Sequence, residues 1–416
     1  MAPAAGLTMT EREILRIRRL VVRLGEAMHA YGTPSHRLER LLLEVSQSFG
    51  LEGSFLVSPT WFSVVLQEPG QEQEYSHISR VKPGGIDLNR LSLTHDLVAA
   101  VLAGRLGVED GLVQLAAIRD APDPYPLWLG FLSWGGVSAG FAMLCGSGLT
   151  DVLASMIGGW LVFGLERLAA RHSRFEEMLE PLSALLLALL GTALVASGLP
   201  LNVPVVVLSG IIVFIPGLSM TMGLRELAAR ELLSGTARIM DALMTLFKLY
   251  FGAVFGLALG GLLWSGGRGV PLTGSLPLML EWMAVLLLAL SLLVMFRVRP
   301  RDAFWGLLCG LVAYGGARMG NALFGADLGG LVGAMLVGLY ANGYARLKNT
   351  PANIVLLPGI VLLVPGSKVY MGLNSLVSGQ DMLVNAASGA QVFLSFMSIV
   401  AGLMFANLIL PPRRYL

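Results

Sequence analysis

Two stretches of this sequence place a Pro-Gly pair inside an apolar run, with hydroxyl and amide side chains close by: GIIVFIPGLSMTMGLREL from Gly210 to Leu227 and GIVLLVPGSKVYMGLNSL from Gly359 to Leu376. The chemistry on offer there is that of the backbone itself. A proline within a helix removes one backbone hydrogen bond and clashes with the carbonyl four residues earlier, and the adjacent glycine permits the dihedral angles of an unwound turn. The freed N–H and C=O groups can then hydrogen-bond a polar solute. Exposed to hydrocarbon such groups are costly, so the break survives only where protein or a wet cavity surrounds it. The stretches lie 149 residues apart and share eight of 18 positions, including Pro216/Pro365, Gly217/Gly366 and Gly223/Gly372. Matching at these costly positions marks an internal repeat rather than the general similarity of apolar helices.

The side chains around the breaks give the candidate binding set. At the first break these are Asn202, Pro216, Gly217, Ser219 and Thr221; at the second, Pro365, Gly366, Ser367, Lys368, Tyr370 and Asn374, with Asn353 upstream. Hydroxyls, amides and one ammonium suit a small zwitterion or a carboxylate. Lys368 either pairs with a substrate carboxylate or carries its ammonium to the membrane surface. Lys248 and Arg318, the other charges inside apolar runs, are functional candidates by that position, but both sit within two turns of a run end, from which they can also snorkel. Arg225-Glu226 reads as an ordinary ion pair at a helix end. Asp151, Glu281 and Asp302 also fall near run ends, so no mid-membrane carboxylate stands out as a proton carrier.

Enzymatic chemistry finds less support. The first third of the chain holds His29, His36, His77 and His95 with Ser35, Asp87 and Asp96, but none falls in an H-E-x-x-H, G-x-S-x-G or G-x-x-x-x-G-K-[ST] arrangement. These residues are expected on helix surfaces and at caps. Cys145 and Cys309 lie in apolar runs as packing residues, and no ligand spacing suggests a metal. No catalytic residue, metal or cofactor is therefore expected.

The elements that must position the breaks follow from composition. Of 416 residues 55% are apolar and 13% charged, with 51 glycines, and the mean hydropathy is +0.71. A soluble domain carries about 25% charged residues, so this is a membrane protein. Residues 1–126 hold 12 Lys+Arg and 15 Asp+Glu against 17 and 12 in the remainder. Neither part clusters basic residues in the manner of a nucleic-acid-binding surface. Residues 1–125 read as a small α+β domain: helices over 11–30, 35–49, 86–105 and 109–119, strands over 53–57, 61–66 and 75–81, and a proline-rich linker at 121–126.

From Leu127 on, ten apolar runs of about twenty residues recur, long enough to cross roughly 30 Å of hydrocarbon: 127–146, 149–166, 181–199, 203–223, 242–264, 276–296, 303–322, 328–346, 352–374 and 388–411. Alternate connections, with the C-terminal tail, hold 13 Lys+Arg against 3 in the other set, which puts both termini in the cytoplasm; no cleavable signal peptide is visible. The repeated breaks fall in runs four and nine, five helices apart, so the copies cross the membrane in opposite senses. The fold expected is an α-helical membrane protein of ten transmembrane helices in two inverted five-helix repeats, residues 126–266 and 267–416, behind a cytoplasmic α+β domain. Inverted halves with matching broken helices are the pattern of secondary transporters, whose solute site lies at the repeat interface. Small-xxx-small pairs such as Gly136/Gly140, Gly256/Gly260, Gly306/Gly310 and Gly329/Gly333 mark close helix packing.

The sequence also resembles a known family, the threonine/serine exporters. LGEAMHAYGTPSHRLE from Leu24 to Glu39, continuing to Gly50, with SPTW at 58–61 and GIDLNRL at 85–91, is similar to the family's cytoplasmic region, and FIPGLSMTMGLREL at 214–227 and LVPGS at 363–367 are similar to its two membrane signatures. Met222 stands where Asn is common and Glu226 where Asp is common, departures that bear on substrate rather than class. The resemblance implies an antiporter of the cytoplasmic (inner) membrane exporting threonine- or serine-like amino acids, driven by the proton-motive force. Relatives with the halves on separate chains are linked to dicarboxylate export, so a succinate-like solute is the alternative; a gated channel and a membrane-anchored hydrolase rank below it. The partners expected are the solute, protons and membrane lipid, with no nucleic acid, and a homo-oligomer is left open.

A single cysteine placed at Leu179 should be labelled by an impermeant thiol reagent only from the cytoplasmic side, and one at Gly274 only from outside. The reverse pattern would overturn the topology.

Overall fold

The computed structural model describes residues 9–81, 85–264, 277–325, 328–366 and 382–412. The chain opens with α1 (Glu11–Ala30) and α2 (Ser35–Ser48), then three strands, β1 (Glu52–Val57), β2 (Trp61–Gln67) and β3 (Glu74–Arg80), and two more helices, α3 (Leu88–Leu102) and α4 (Val108–Arg119). Thr10 and Glu13 form a reciprocal capping box that starts α1. The sheet is antiparallel in the order β1-β2-β3, with Val57 opposite Phe62 and Trp61 opposite Arg80. Alternation along β2 sends Phe62, Val64 and Leu66 into a core shared with Leu20, Leu24, Leu38 and Leu42. Gly25 is required there, because a Cβ would stand 2.5 Å from the Phe62 ring.

The membrane region follows the linker: α5 (Leu127–Leu144), α6 (Leu149–Ala169), a single turn α7 (Ser173–Glu176), α8 (Leu179–Ala196), α9 (Val203–Gly210), α10 (Gly217–Ala228), α11 (Leu232–Leu263), α12 (Leu278–Met295), α13 (Pro300–Phe324), α14 (Gly329–Lys348), α15 (Asn353–Val361) and α16 (Met382–Ile409). Among the described residues six helices are long and apolar enough to cross a membrane, or seven when the bent α9–α10 pair is counted as one. Ten were expected from the apolar runs. The difference lies in α13 and α14, long helices diluted by glycine and polar residues, and in run 352–374, described only as far as Gly366.

Helix starts recur through the two halves. Leu127 and Leu278, Leu149 and Pro300, Leu179 and Gly329, and Val203 and Asn353 each begin helices 150 or 151 residues apart. Neighbours recur too, since α8 packs on α11 as α14 packs on α16, and α6 on α9 as α13 on α15. Glycine faces make these contacts close: a Cβ at Gly140 would meet the Ala284 carbonyl at 3.2 Å, and one at Gly256 the Leu185 carbonyl at 2.6 Å. The charges inside the helices are paired rather than simply snorkelled. Lys248 lies 3.5 Å from Glu180 across α11 and α8, and Arg318 pairs with Glu281, which also accepts from the Tyr314 hydroxyl at 3.1 Å.

The α+β domain docks on the connections richest in arginine. Arg297 bonds Asp87 at 3.0 Å and lies 3.4 Å from Asp123, Arg299 reaches Asp96 at 3.1 Å, and Leu88 N donates to the Phe296 carbonyl at 3.0 Å. Ser234 at the start of α11 donates to the Val57 carbonyl at 2.8 Å and lies 3.1 Å from the Ser35 hydroxyl. Buried Asp87 is the most heavily used of these groups, because it also caps α3 by accepting from Arg90 N at 2.9 Å.

Asp87→Ala removes the cap of α3 and leaves Arg297 with Asp123 alone, a loss of about 2 kcal/mol. Thermal unfolding of the full chain should fall accordingly, with faster proteolysis in the 121–126 linker. An unchanged melting temperature and cleavage rate would show that the docking rests elsewhere.

Candidate functional site

The first break is built from three short pieces. α9 ends at Gly210, a 3-10 turn spans Ile212–Phe214, and α10 begins at Gly217 with the axis bent by 52°. Pro216 cannot donate, so the chain recovers with Gly217 N donating to the Ile215 carbonyl at 2.8 Å and Met220 N to the Pro216 carbonyl at 2.9 Å. At the second break α15 carries Pro358, and Leu363 N and Val364 N both donate to the Ile360 carbonyl, at 2.8 and 3.1 Å, before Pro365 and Gly366.

The two breaks meet. A Cβ on Gly217 would stand 2.5 Å from Val364 Cγ1 and 3.1 Å from Gly366 Cα, while a Cβ on Gly366 would stand 2.9 Å from Ile215 Cγ2 and 3.4 Å from Gly217 Cα. These contacts are reciprocal: Val364 precedes Gly366 as Ile215 precedes Gly217, so each glycine touches the same position of the other segment. Two backbones approach here as closely as only glycine allows.

The remaining candidates divide. Ser219, one turn into α10, is half-buried and lines a cavity of about 310 Å³. Thr221 is fully buried and its hydroxyl donates to the Gly217 carbonyl at 3.0 Å, bracing the first turn of α10. Asn202 sits at the far end of α9, where its side chain accepts from Val205 N at 3.1 Å and its N–H donates to Asp151 at 2.7 Å; its amide caps a helix and is not brought to the break. Ser367, Lys368, Tyr370 and Asn374 lie outside the described residues.

The cavity beside Ser219 reaches the α+β domain. His29, Thr33 and Thr60 wall one side, and Leu218, Met222, Arg238 and Asp241 the other. Sequence reasoning missed Arg238 and Asp241 because the fifth apolar run begins at 242. α11 in fact starts at Leu232 and is 32 residues long, roughly 48 Å against roughly 30 Å of hydrocarbon, and Ser234 in its first turn bonds the Val57 carbonyl of the α+β domain. The signal was present as amphipathic residues ahead of the run. Arg238 bonds Glu226 through Nε and Nη2, both at 3.0 Å, so Glu226 pairs across helices and not with Arg225. Asp241 forms no ion pair among the described residues, and buried Thr33 Oγ1 and His29 Nδ1 lack hydrogen-bond partners. A carboxylate, free hydroxyls and an imidazole around this volume suit a small polar solute bearing an ammonium group. Among the described residues no group of His, Cys, Asp or Glu could hold a metal ion.

The threonine/serine exporter model matches residues 19–260, and a second, described as Threonine/Serine exporter, ThrE, matches 281–409. The chain belongs to the threonine/serine exporter family. Both halves of this membrane exporter family are thus fused here in one chain. Relatives include an uncharacterized protein of Schizosaccharomyces pombe, 26% identical over 392 residues covering 91% of this chain and 51% of the relative. Pheromone-regulated membrane protein 10 of Candida albicans is 24% identical over 396 residues, 92% of this chain and 35% of its own length, and its namesake in Saccharomyces cerevisiae 24% over 398 residues, 92% and 50%. The chain spans about half or less of the length of these relatives. No solved structure matches it.

Burial holds His29 below the ordinary imidazole value of 6.5, with Arg238 adding to the shift against the opposing pull of the Pro59 carbonyl and Glu226. The folded state therefore binds fewer protons than the unfolded chain below pH 6.5, and stability falls as pH drops through that window, by at most about 1.4 kcal/mol per pH unit. Melting temperature should decline from pH 7 to 5 less steeply in His29→Gln, whose amide can still reach the Pro59 carbonyl. Equal slopes would remove His29 from the pH response.

Proposed function

We propose that this member of the family is a secondary transporter that exports small amino acids of the threonine/serine type across the cytoplasmic membrane, with dicarboxylates as the second substrate class. The reciprocal contact of the two Pro-Gly breaks carries the reading. A contact in which each partner presents the same position is what a two-fold axis produces, and a two-fold relating the halves fits two inverted five-helix repeats of ten spans. Solute sites of such transporters lie where broken helices meet. The positive end of α10 at Gly217 suits a carboxylate, and Ser219 adds a hydroxyl between the break and the cavity.

The orientation proposed has both termini in the cytoplasm. Docking of the α+β domain on the arginine-rich connections supports it, since one face then carries both. The cavity walled by Ser219, Asp241 and the domain becomes the cytoplasmic vestibule through which solute reaches the breaks. Asn202 serves as the cap of α9, while Ser367, Lys368, Tyr370 and Asn374 are assigned to the second half of the solute site. Export is driven by the proton-motive force.

Counterflow in proteoliposomes loaded in turn with serine, threonine and succinate tests the proposal. Exchange with the first two is expected, and Gly217→Leu or Gly366→Leu should abolish it while the protein still inserts, because the side chain fills the crossing. Wild-type flux in either variant, or exchange of none of the three solutes by wild-type protein, would refute the assignment.

A further inference from the structure

Eight residues beyond Gly217, about 12 Å along α10, the structure holds a guanidinium group that forms no salt bridge among the described residues, and Arg37 of the α+β domain is a second. Arg225 Nη1 is shut off from solvent and has no hydrogen-bond partner. Its neighbour Glu226 attracts it but is hydrogen-bonded by Arg238 in a two-point pair, and burial outweighs that attraction at Arg225. Arg37, in the first turn of α2, reaches only the side-chain oxygen of Asn353, at 3.3 Å, at the start of α15. Among the described residues neither Arg37 nor Arg225 takes part in a salt bridge.

From this juxtaposition we infer that Arg37, Arg225 and Asn353 form an oxyanion-binding site between the α+β domain and the cytoplasmic ends of α10 and α15, taking a carboxylate or phosphate group. Two guanidinium groups supply planar forks that match such a group, and Asn353 adds an amide. Burial, together with the like charges of Arg225 and Arg40, pushes the Arg37 guanidinium down to about 9, which is the cost that a bound anion would offset. Because the three residues come from the domain and from each half of the membrane region, an anion here ties all three bodies together.

The site is distinct from the crossing of the breaks and stands whether or not the solute binds there. Its test is the melting temperature of the full chain in detergent, titrated with succinate, serine and inorganic phosphate at ionic strength matched with chloride. A saturable rise is expected with at least one of these probes. Arg225→Gln and Arg37→Gln should each weaken its apparent affinity about tenfold or more, whereas exposed Arg105→Gln should leave it unchanged. In the absence of oxyanion the two Gln variants should melt no lower than wild type, because each removes one of two repelling charges. A response to succinate or serine alone identifies a carboxylate ligand, and a response to phosphate alone a phosphate group. The inference is overturned if no probe exceeds the chloride control in wild-type protein, a measurement that needs no variant to fold. It is equally overturned if the Gln variants respond as wild type.

Discussion

The contact between Gly217 and Gly366 is the constraint on which the membrane region turns. A broken helix needs protein on every side of its unpaired groups, and here each break is the other's cover. That requirement sets the residue types around it. The glycines remove the Cβ atoms that would hold the backbones apart, Pro216 stands at the start of α10 and Pro365 four residues past the end of α15, and the Thr221 hydroxyl donates into the first turn of α10. It also sets the helices beyond. α9 must fit against α6 and α8 to deliver its end to the crossing, and Gly158, Gly191 and Gly210 allow that close fit against Leu187 and Val203.

A second constraint comes from charge. The α+β domain meets arginines that the membrane region places on one face, and the contacts at Asp87, Asp96 and Asp123 hold it there. The more exposed of these pairs, Arg297 with Asp123, contributes about 1 kcal/mol or less. Their effect is positional: they bring His29 and Thr33 over the first turns of α11, closing a cavity that neither the domain nor the membrane helices form alone.

Much of this was legible in the residues. Proline and glycine announce a break because few other residues tolerate one, and the α+β domain was read nearly element by element because its apolar periodicities switch cleanly between 3.6 and 2. The partners of polar side chains were not. Asn202 has the right chemistry and the right neighbourhood in sequence, yet its amide is spent capping α9. Glu226 sits beside Arg225 in sequence but pairs with Arg238, because adjacent residues on a helix point in different directions and the start of α11 returns alongside α10. Lys248 and Arg318 looked like snorkelling residues because their partners, Glu180 and Glu281, belong to other helices.

The two copies of the repeat differ where their surroundings differ. Through Pro216-Gly217 and Pro365-Gly366 they are the same device, down to the side chain each presents to the other's glycine. Past that point they diverge: Arg225 and Glu226 of the first copy correspond at the 149-residue offset to Asn374 and Ser375 of the second. The first copy ends beside the start of α11, where Arg238 bonds Glu226. Arg238 thus answers the carboxylate of this end, while Arg225 forms no salt bridge among the described residues. The backbone crossing is therefore reciprocal at its two glycines, while the sequences that run on from it are not.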